Sequence, residues 1–368
     1  MTHAKQGLFI MIKYNVCVLF GGISPEHEVS LRSAESVLNN LDQEKYNLLP
    51  VGITKEGNWI LYGGSDYSKL PGNEWLHCEA NRRAYISPIR GQGLLIFDGD
   101  RISHKAIDVI FPVLHGENGE DGTVQGLFQL AGIPYVGCGV AASAGCMDKC
   151  LTKMTADRAE VRQADWELVT RLQLRTNPDE ALDRVERRFS YPVFVKPAGT
   201  GSSVGVSKAR SRDALLAALE NAVRFDRKVL VEEFIRGHEV EVAVLGNETP
   251  IASIPGEIDA GAEFYDYETK YVTDTSTLYI PARISEDATE RIRAAAVKIY
   301  QAMGCRGLAR ADFFVTYEGE EVVFNEINTM PGFTSISMYP KLFAASGIPY
   351  GQLLDRLISL AMEAFYEA

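Results

Sequence analysis

The chain has 368 residues, 46% hydrophobic and 23% charged, a globular composition long enough for two or three domains. Its net charge of −12 argues against general affinity for nucleic acid or an anionic membrane, though a local basic site is compatible with it. No apolar run reaches membrane-spanning length, and the six cysteines offer neither a C-x-x-C pair nor zinc-site spacing, so a reduced, cytoplasmic compartment is expected.

Residues 1–13 have a very short apolar patch and no small-residue cleavage site; they read as a loose extension, not a signal peptide. Residues 14–20 form an apolar run before Gly21-Gly22, a buried strand ending in a tight turn. Helical spacing follows over 29–41, with Ser30 as a candidate N-cap and Ser33 beyond it. Strand signals recur at 46–53 and 106–114, and this alternation argues for an open α/β domain that binds ligands beyond its strand ends. The loop 115–122, His-Gly-Glu-Asn-Gly-Glu-Asp-Gly, lies at such an end. Residues 123–131 look helical, 134–136 strand-like, and 140–165, Ala-rich and charged, helical. Strands are expected at 191–197, from Val206, at 229–235 and at 239–245, with a helix at 213–223. Residues 260–276 are polar and Tyr-rich, the composition of a long loop over a site. Helices close the chain at 286–303 and 353–366, and boundaries fall near 140 and 225.

The strongest chemical signal is a pair of apolar runs, Leu-Ala-Arg-Ala-Asp-Phe-Phe-Val at 308–315 and Val-Val-Phe-Asn-Glu-Ile-Asn at 322–328. A polar, glycine-containing turn joins them, the pattern of an antiparallel hairpin. Side chains alternate along a strand, so Arg310 and Asp312 share a face, as do Glu326 and Asn328. If the faces coincide, three oxygen ligands suited to Mg²⁺ stand beside a guanidinium that neutralises a transferring phosphoryl group. The alternative is a half-buried hairpin with a solvated outer face, the usual state of a lone carboxylate. The surrounding Phe, Val and Ile, and a Gly/Pro loop with several hydroxyls at 328–337, favour the functional reading.

Residues 199–205, Gly-Thr-Gly-Ser-Ser-Val-Gly, fit neither G-x-x-x-x-G-K-[ST] nor G-x-G-x-x-G. Their physical logic resembles the glycine-rich flap that kinases lay over ATP phosphates. Glycines let backbone N–H groups approach an anion, Ser202 and Ser203 add donors, and Lys196 lies at the mouth of the preceding strand. A serine hydrolase using Ser202 or Ser203 with His115 or His238 as base is disfavoured, because neither serine has both glycines of a nucleophile elbow.

Together these pieces resemble the D-alanine–D-alanine ligases of the ATP-grasp superfamily, over nearly the whole chain from Tyr14 onward. The motifs are Gly-Gly-Ile-Ser-Pro-Glu-His-Glu-Val-Ser (21–30), the loop 115–122, Met-Asp-Lys (147–149) and Lys-Pro-Ala-Gly-Thr-Gly-Ser-Ser-Val-Gly (196–205). Phe-Tyr-Asp-Tyr-Glu-Thr-Lys-Tyr (264–271) and Asn-Glu-Ile-Asn-Thr-Met-Pro-Gly-Phe-Thr (325–334) complete the set. The resemblance implies an α/β chain: an N-terminal Rossmann-like open-sheet domain (14–140), then a two-part ATP-grasp fold. Its central subdomain (141–225) carries the phosphate loop, and its C-terminal subdomain (226–368) carries the Mg²⁺ site and a mobile loop.

The implied reaction phosphorylates the carboxylate of one D-alanine from ATP, and the amine of a second D-alanine attacks the acyl phosphate, for peptidoglycan precursor synthesis. The resemblance assigns Asp312, Glu326 and Asn328 to two Mg²⁺ ions, with Mn²⁺ able to substitute. Lys149 and Lys196 would contact ATP phosphates, Glu232, Glu233 and Ile235 the adenine slot, and Glu239 the ribose. Lys270 would reach the γ-phosphate as its loop closes and excludes water. Glu26 would pair with the first ammonium and join Ser202 and Tyr271 in a hydrogen-bonded set, near His115. Arg310 and the Gly332 N–H would stabilise an oxyanion. Ser337, with Lys341, would bind the second carboxylate. The family further implies a homodimer with small-molecule partners only. Tyr271, absent from related D-lactate ligases, favours an amine nucleophile. D-serine in place of the second D-alanine adds only a hydroxyl and remains an alternative, as does a regulator that keeps the fold without turnover.

Overall fold

The computed structural model describes residues 13–201, 204–259 and 277–367, so Ser202, Lys270 and Tyr271 lie outside the described residues. Three sheets follow one another along the chain. In the first, β1 (Tyr14–Gly21) runs parallel between β2 (Tyr46–Ile53) and β7 (Val109–Val113). Both faces of β1 are covered, which explains its unbroken apolar run. α1 (His27–Asn40) packs on Val16, Val18 and Phe20, and α2 (Thr123–Ala131) lies in the core of Cys17 and Leu19 on the other face. The sheet continues from β2 as an antiparallel meander of β3 (Trp59–Leu61), β4 (Arg82–Ile86), β5 (Leu94–Asp98) and β6 (Arg101–Lys105). The edge strand β6 is exposed along its whole length and charged, so it lacks the apolar alternation that announces a strand.

Three local expectations need correction. α1 begins at His27, and Ser30 does not cap it. The Ser30 hydroxyl accepts the Gly21 N–H at 2.7 Å and donates to the Val113 carbonyl, tying the ends of β1 and β7 together. Residues 134–136 form no strand of their own; only Tyr135 makes a bridge, to Ile110. The stretch 140–165 splits into α3 (Val140–Met147) and α4 (Lys149–Arg158) and then leaves helix. Asp148 is extended between the two helices, and its carboxylate accepts the N–H groups of Cys150 and Leu151, restarting the helix at Lys149.

The second sheet is antiparallel in the order β10-β9-β11-β8, formed by β8 (Trp166–Thr170), β9 (Val193–Pro197), β10 (Ser207–Ala209) and β11 (Lys228–Glu233). It shares a core with α5 (Arg171–Thr176), α6 (Pro178–Arg188) and α7 (Arg212–Ala222). The third sheet is built on β12 (Gly237–Gly246), with the short β13 (Ile251–Ala252), β14 (Gly256–Asp259) and β15 (Thr277–Tyr279) on one side. β16 (Gly307–Thr316) and β17 (Val322–Asn328) follow on the other side as the expected hairpin. α8 (Glu286–Ala302) packs in one core of this sheet. α9 (Met338–Ala345) and α10 (Tyr350–Tyr366) pack in another core, shared with β1, β7 and α1. That shared core seats the 330–333 turn: Phe333 is fully buried, edge-on to Phe111 at 5.7 Å. Burying such a ring is worth about 2 kcal/mol. Among the described residues, no helix is long and apolar enough to cross a membrane.

Candidate active site

A cavity of about 730 Å³ opens between the second and third sheets. Burial alternates along β9, so Phe194 and Lys196 share the less buried face, and both line the cavity. The Phe194 and Phe234 rings lie 5.9 Å apart, and the Lys208 ammonium stands 3.9 Å from the Phe234 ring centre. A wall of rings and a cation suits a flat base. Lys196 Nζ is 2.7 Å from Glu232 Oε2 and donates to Asn325 Oδ1 at 3.0 Å. Glu232 also faces Lys153 Nζ at 3.1 Å. Burial works to raise the Glu232 pKa, but the two ammoniums outweigh it and hold the carboxyl down at about 2.

A smaller cavity of about 100 Å³ continues this cleft and shares Lys149, Thr200, Gly201, Asn325 and Glu326 with it. Lys149 opens α4, donates to the Thr200 carbonyl at 2.7 Å and lies 3.9 Å from Glu326 Oε2. The hairpin register sets Asp312 opposite Glu326 and Arg310 opposite Asn328, so the two polar faces do coincide. The Arg310 fork meets both Asp312 oxygens at 2.7 Å, Asn328 Nδ2 donates to Asp312 at 3.0 Å, and Arg310 Nε is 3.1 Å from Glu241 Oε2 on β12. Burial works against the Arg310 charge, but Asp312 and Glu241 outweigh it and hold the guanidinium well above the ordinary arginine range. After Asp312 the register shifts and Phe313 pairs with Phe324, leaving Asn325 unpaired in a bulge. Consecutive Asn325 and Glu326 thereby both line the cleft.

The opposite wall comes from the first sheet. Glu26 sits at the N-cap of α1, lines the smaller cavity and lies against Gly116. A Cβ on Gly116 would stand 2.4 Å from Glu26 Oε2, and its φ of +71° suits glycine alone. His115 is 5% exposed, and both ring nitrogens meet protein partners: Nδ1 the Met330 carbonyl at 3.0 Å, Nε2 the Ser33 hydroxyl at 3.1 Å. Burial lowers the His115 pKa, which keeps the ring neutral with its proton on Nδ1. Ser33 Oγ accepts the Phe333 N–H at 3.2 Å, and Glu120 accepts the N–H groups of Met330 at 3.1 Å and Gly116 at 2.8 Å. Burial, helped by nearby Glu26, pushes the Glu120 carboxyl up to about 8. These bonds clamp the 330–333 turn, so Gly332 is held at the cavity edge.

The sequence matches the family descriptions D-ala D-ala ligase N-terminus over residues 15–138 and D-ala D-ala ligase C-terminus over residues 155–359. It is 50% identical over 354 residues to a D-alanine–D-alanine ligase of Caldicellulosiruptor bescii, covering 96% of each chain. It is also 50% identical over 370 residues to one of Acetivibrio thermocellus, covering 96% of this chain and 97% of the relative. The chain belongs to the D-alanine–D-alanine ligase family.

Among solved structures of this ligase family, the VanG D-Ala:D-Ser ligase from Enterococcus faecalis matches with a TM-score of 0.86 and 41% identity, covering 95% of this chain and all of that one. The D-alanine–D-alanine ligase from Coxiella burnetii matches at 0.83 and 36%, covering 96% and 97%. The architecture is thus the ligase family's: an α/β chain with an open sheet first and the ATP-grasp sheets after it. Of the residues named from sequence, Lys149, Lys196, Glu232, Glu233, Ile235, Glu239 and Glu326 line the larger cavity. Glu26, His115, Lys149, Arg310, Glu326, Asn328 and Gly332 line the smaller one. Asp312 borders neither and reaches the cleft through Arg310 and Asn328. Ser337 heads α9 with its hydroxyl against Gly332, while Lys341, one helical turn on, borders neither cavity. Sequence reasoning passed over Phe194, Asn325, Glu120, Ser33, Lys153 and Glu241. Phe194 was within reach, since strand alternation pairs it with Lys196.

Proposed function

We propose that this chain uses ATP to join two D-alanines into D-alanyl-D-alanine, a peptidoglycan precursor, in the bacterial cytoplasm. The observation that supports it best is the continuity of the cleft, in which Lys149 and Glu326 border both the aromatic-walled cavity and the small cavity of Glu26, Arg310 and Gly332. In this reading the larger cavity takes ATP: Glu232, Glu233 and Ile235 along the adenine, Glu239 at the ribose, Lys149 and Lys196 on the phosphates. The first D-alanine lies in the smaller cavity with its ammonium toward Glu26. Its carboxylate oxygen attacks the γ-phosphorus and ADP leaves. The second amine then attacks the acyl carbon, and the negative oxygen that develops is held by Arg310 and the Gly332 N–H. Collapse expels phosphate, which carries off the proton lost from the attacking nitrogen, and leaves the amide. Ser337 and Lys341 receive the second carboxylate, and His115 serves by holding the turn that bears Gly332. Ser202, Lys270 and Tyr271 complete the site on the sequence evidence, Ser202 and Tyr271 with Glu26, Lys270 on the γ-phosphate.

Two carboxylates and an amide on one hairpin face make an incomplete oxygen shell, and among the described residues no three His, Cys, Asp or Glu converge to complete it. Such a shell fits Mg²⁺, which takes its remaining ligands from phosphates and water. Asp312, Glu326 and Asn328 would hold Mg²⁺, two ions in this reading with Mn²⁺ as a substitute, and the metal would screen the phosphate charge when bound. The Arg310 fork now on Asp312 must yield at least one oxygen for this. We further propose the three-part division at 140 and 225, and a homodimer.

The 41% identity to a D-Ala:D-Ser ligase keeps D-serine as a second reading for the second subsite. The test is phosphate release with ATP and Mg²⁺, supplying D-alanine alone and then against D-serine or D-lactate, with products identified by mass spectrometry. Dominant D-alanyl-D-alanine is expected. Preferential D-alanyl-D-serine would install the second reading, and no D-alanine-dependent phosphate release from ATP-binding protein would overturn both.

A further inference from the structure

We infer that Lys153, which borders neither of these two cavities, is a positioning residue: by sharing Glu232 it leaves the positive charge of Lys196 available to the nucleotide phosphates. The inference rests on the nucleotide reading above.

Lys153 points inward from α4 and is 1% exposed, a state lysine rarely adopts unless paired. Its Nζ lies 3.1 Å from Glu232 Oε1, while Glu232 Oε2 lies 2.7 Å from Lys196 Nζ. Glu232 is itself 3% exposed, so two ammoniums divide one buried carboxylate. The set carries one positive charge in excess, and of the two lysines only Lys196 lines the cavity. The exposed Asp157, one turn further along α4, accepts from Gln163 Nε2 at 2.5 Å, and the water around it weakens its pull on the Lys153 ammonium. Gln163 Nε2 donates to the Lys153 carbonyl at 2.8 Å and fixes that turn of the helix.

An apolar side chain of similar length would fill the place of Lys153 without the desolvation cost of a buried ammonium. Glu232 and Lys196 would then form a neutral pair, and a polyphosphate would meet no net charge from them. Coulomb attraction at these distances and at the effective dielectric of a protein cleft is large enough for the difference to be read in affinity.

The test measures ADP and adenosine affinities on the full chain, because their ratio isolates the phosphate contribution. Lys153→Met is expected to lower the ADP-to-adenosine affinity ratio about tenfold with adenosine binding unchanged. Lys153→Arg keeps the ratio. Lys153→Met combined with Glu232→Gln removes the carboxylate along with the ammonium, leaves Lys196 charged, and restores the ratio. A merely structural role would weaken adenosine and ADP together, with the double variant no better than the single. An unchanged ratio in Lys153→Met would overturn the inference and leave the nucleotide site standing. A native chain that binds neither ADP nor adenosine would overturn the nucleotide reading and this inference with it. Should Lys153→Met not fold, Lys153→Gln, which keeps a donor toward Glu232, gives the same readout.

Discussion

On the first-sheet wall of the cleft the buried ionisable groups are kept neutral, whereas on the walls from the second and third sheets they are kept charged, each beside an opposite charge. Glu120 is pushed up to about 8 and His115 is pushed down, and both hydrogen-bond backbone or hydroxyl groups. Across the cleft, Arg310 answers Asp312 and Glu241, and Glu232 answers Lys153 and Lys196. The difference follows from the partners each wall supplies. The 115–122 loop meets backbone and hydroxyl groups that bring no countercharge to offset burial, so burial decides. The β12–β16–β17 ladder sets charged side chains opposite one another, where burial is tolerable only in compensated sets. A neutral wall shapes and clamps; a charged wall is suited to phosphates and metal.

The largest effect that sharpens this contrast is expected on the charged wall. Asp312→Ala or Glu326→Ala should lower dipeptide formation about a thousandfold or more, measured as phosphate release and product together. Near-normal turnover in either would remove the hairpin from the chemistry. Arg310→Ala leaves Asp312 and Glu241 without their shared cation and should cost about 3–5 kcal/mol in urea unfolding. A loss within the error of the measurement would mean that the guanidinium does not compensate them.

Smaller effects are expected opposite. Gly116→Ala forces a Cβ toward Glu26 and strains a positive-φ turn, so KM for D-alanine should rise about tenfold while ATP affinity holds. If KM stays put, Glu26 is not held by that contact. Glu120→Gln tests the neutral wall through pH. The folded pKa of Glu120, about 8, lies above its ordinary 4.5, so the folded protein keeps this proton to higher pH than the unfolded chain does. Its contribution to stability is complete below about 4.5 and is lost as pH rises through about 8. The melting temperature should therefore fall between about pH 4.5 and 8, by about 2–4 °C for each kcal/mol lost, and fall less in Glu120→Gln. Equal slopes in the two proteins would put Glu120 on the charged side of the comparison.

Sequence by itself determined whatever depends on neighbours along the chain. The strand period set Arg310 with Asp312 and Glu326 with Asn328, the polar turn between them made the hairpin, and short contiguous motifs carried the family. Helix starts were less legible, because a serine such as Ser30 caps a helix or ties strand ends according to what lies above it. Only the tertiary structure decided which charges meet. The register that sets Asp312 opposite Glu326, and the bulge that turns Asn325 into the cleft, belong to strand pairing rather than to either strand. Glu241 reaches Arg310, Lys153 reaches Glu232, and His115 reaches both Ser33 and Met330 across long stretches of chain. A carboxylate in a sequence has no fixed charge: burial and its partners assign it, and they exist only once the three sheets have packed.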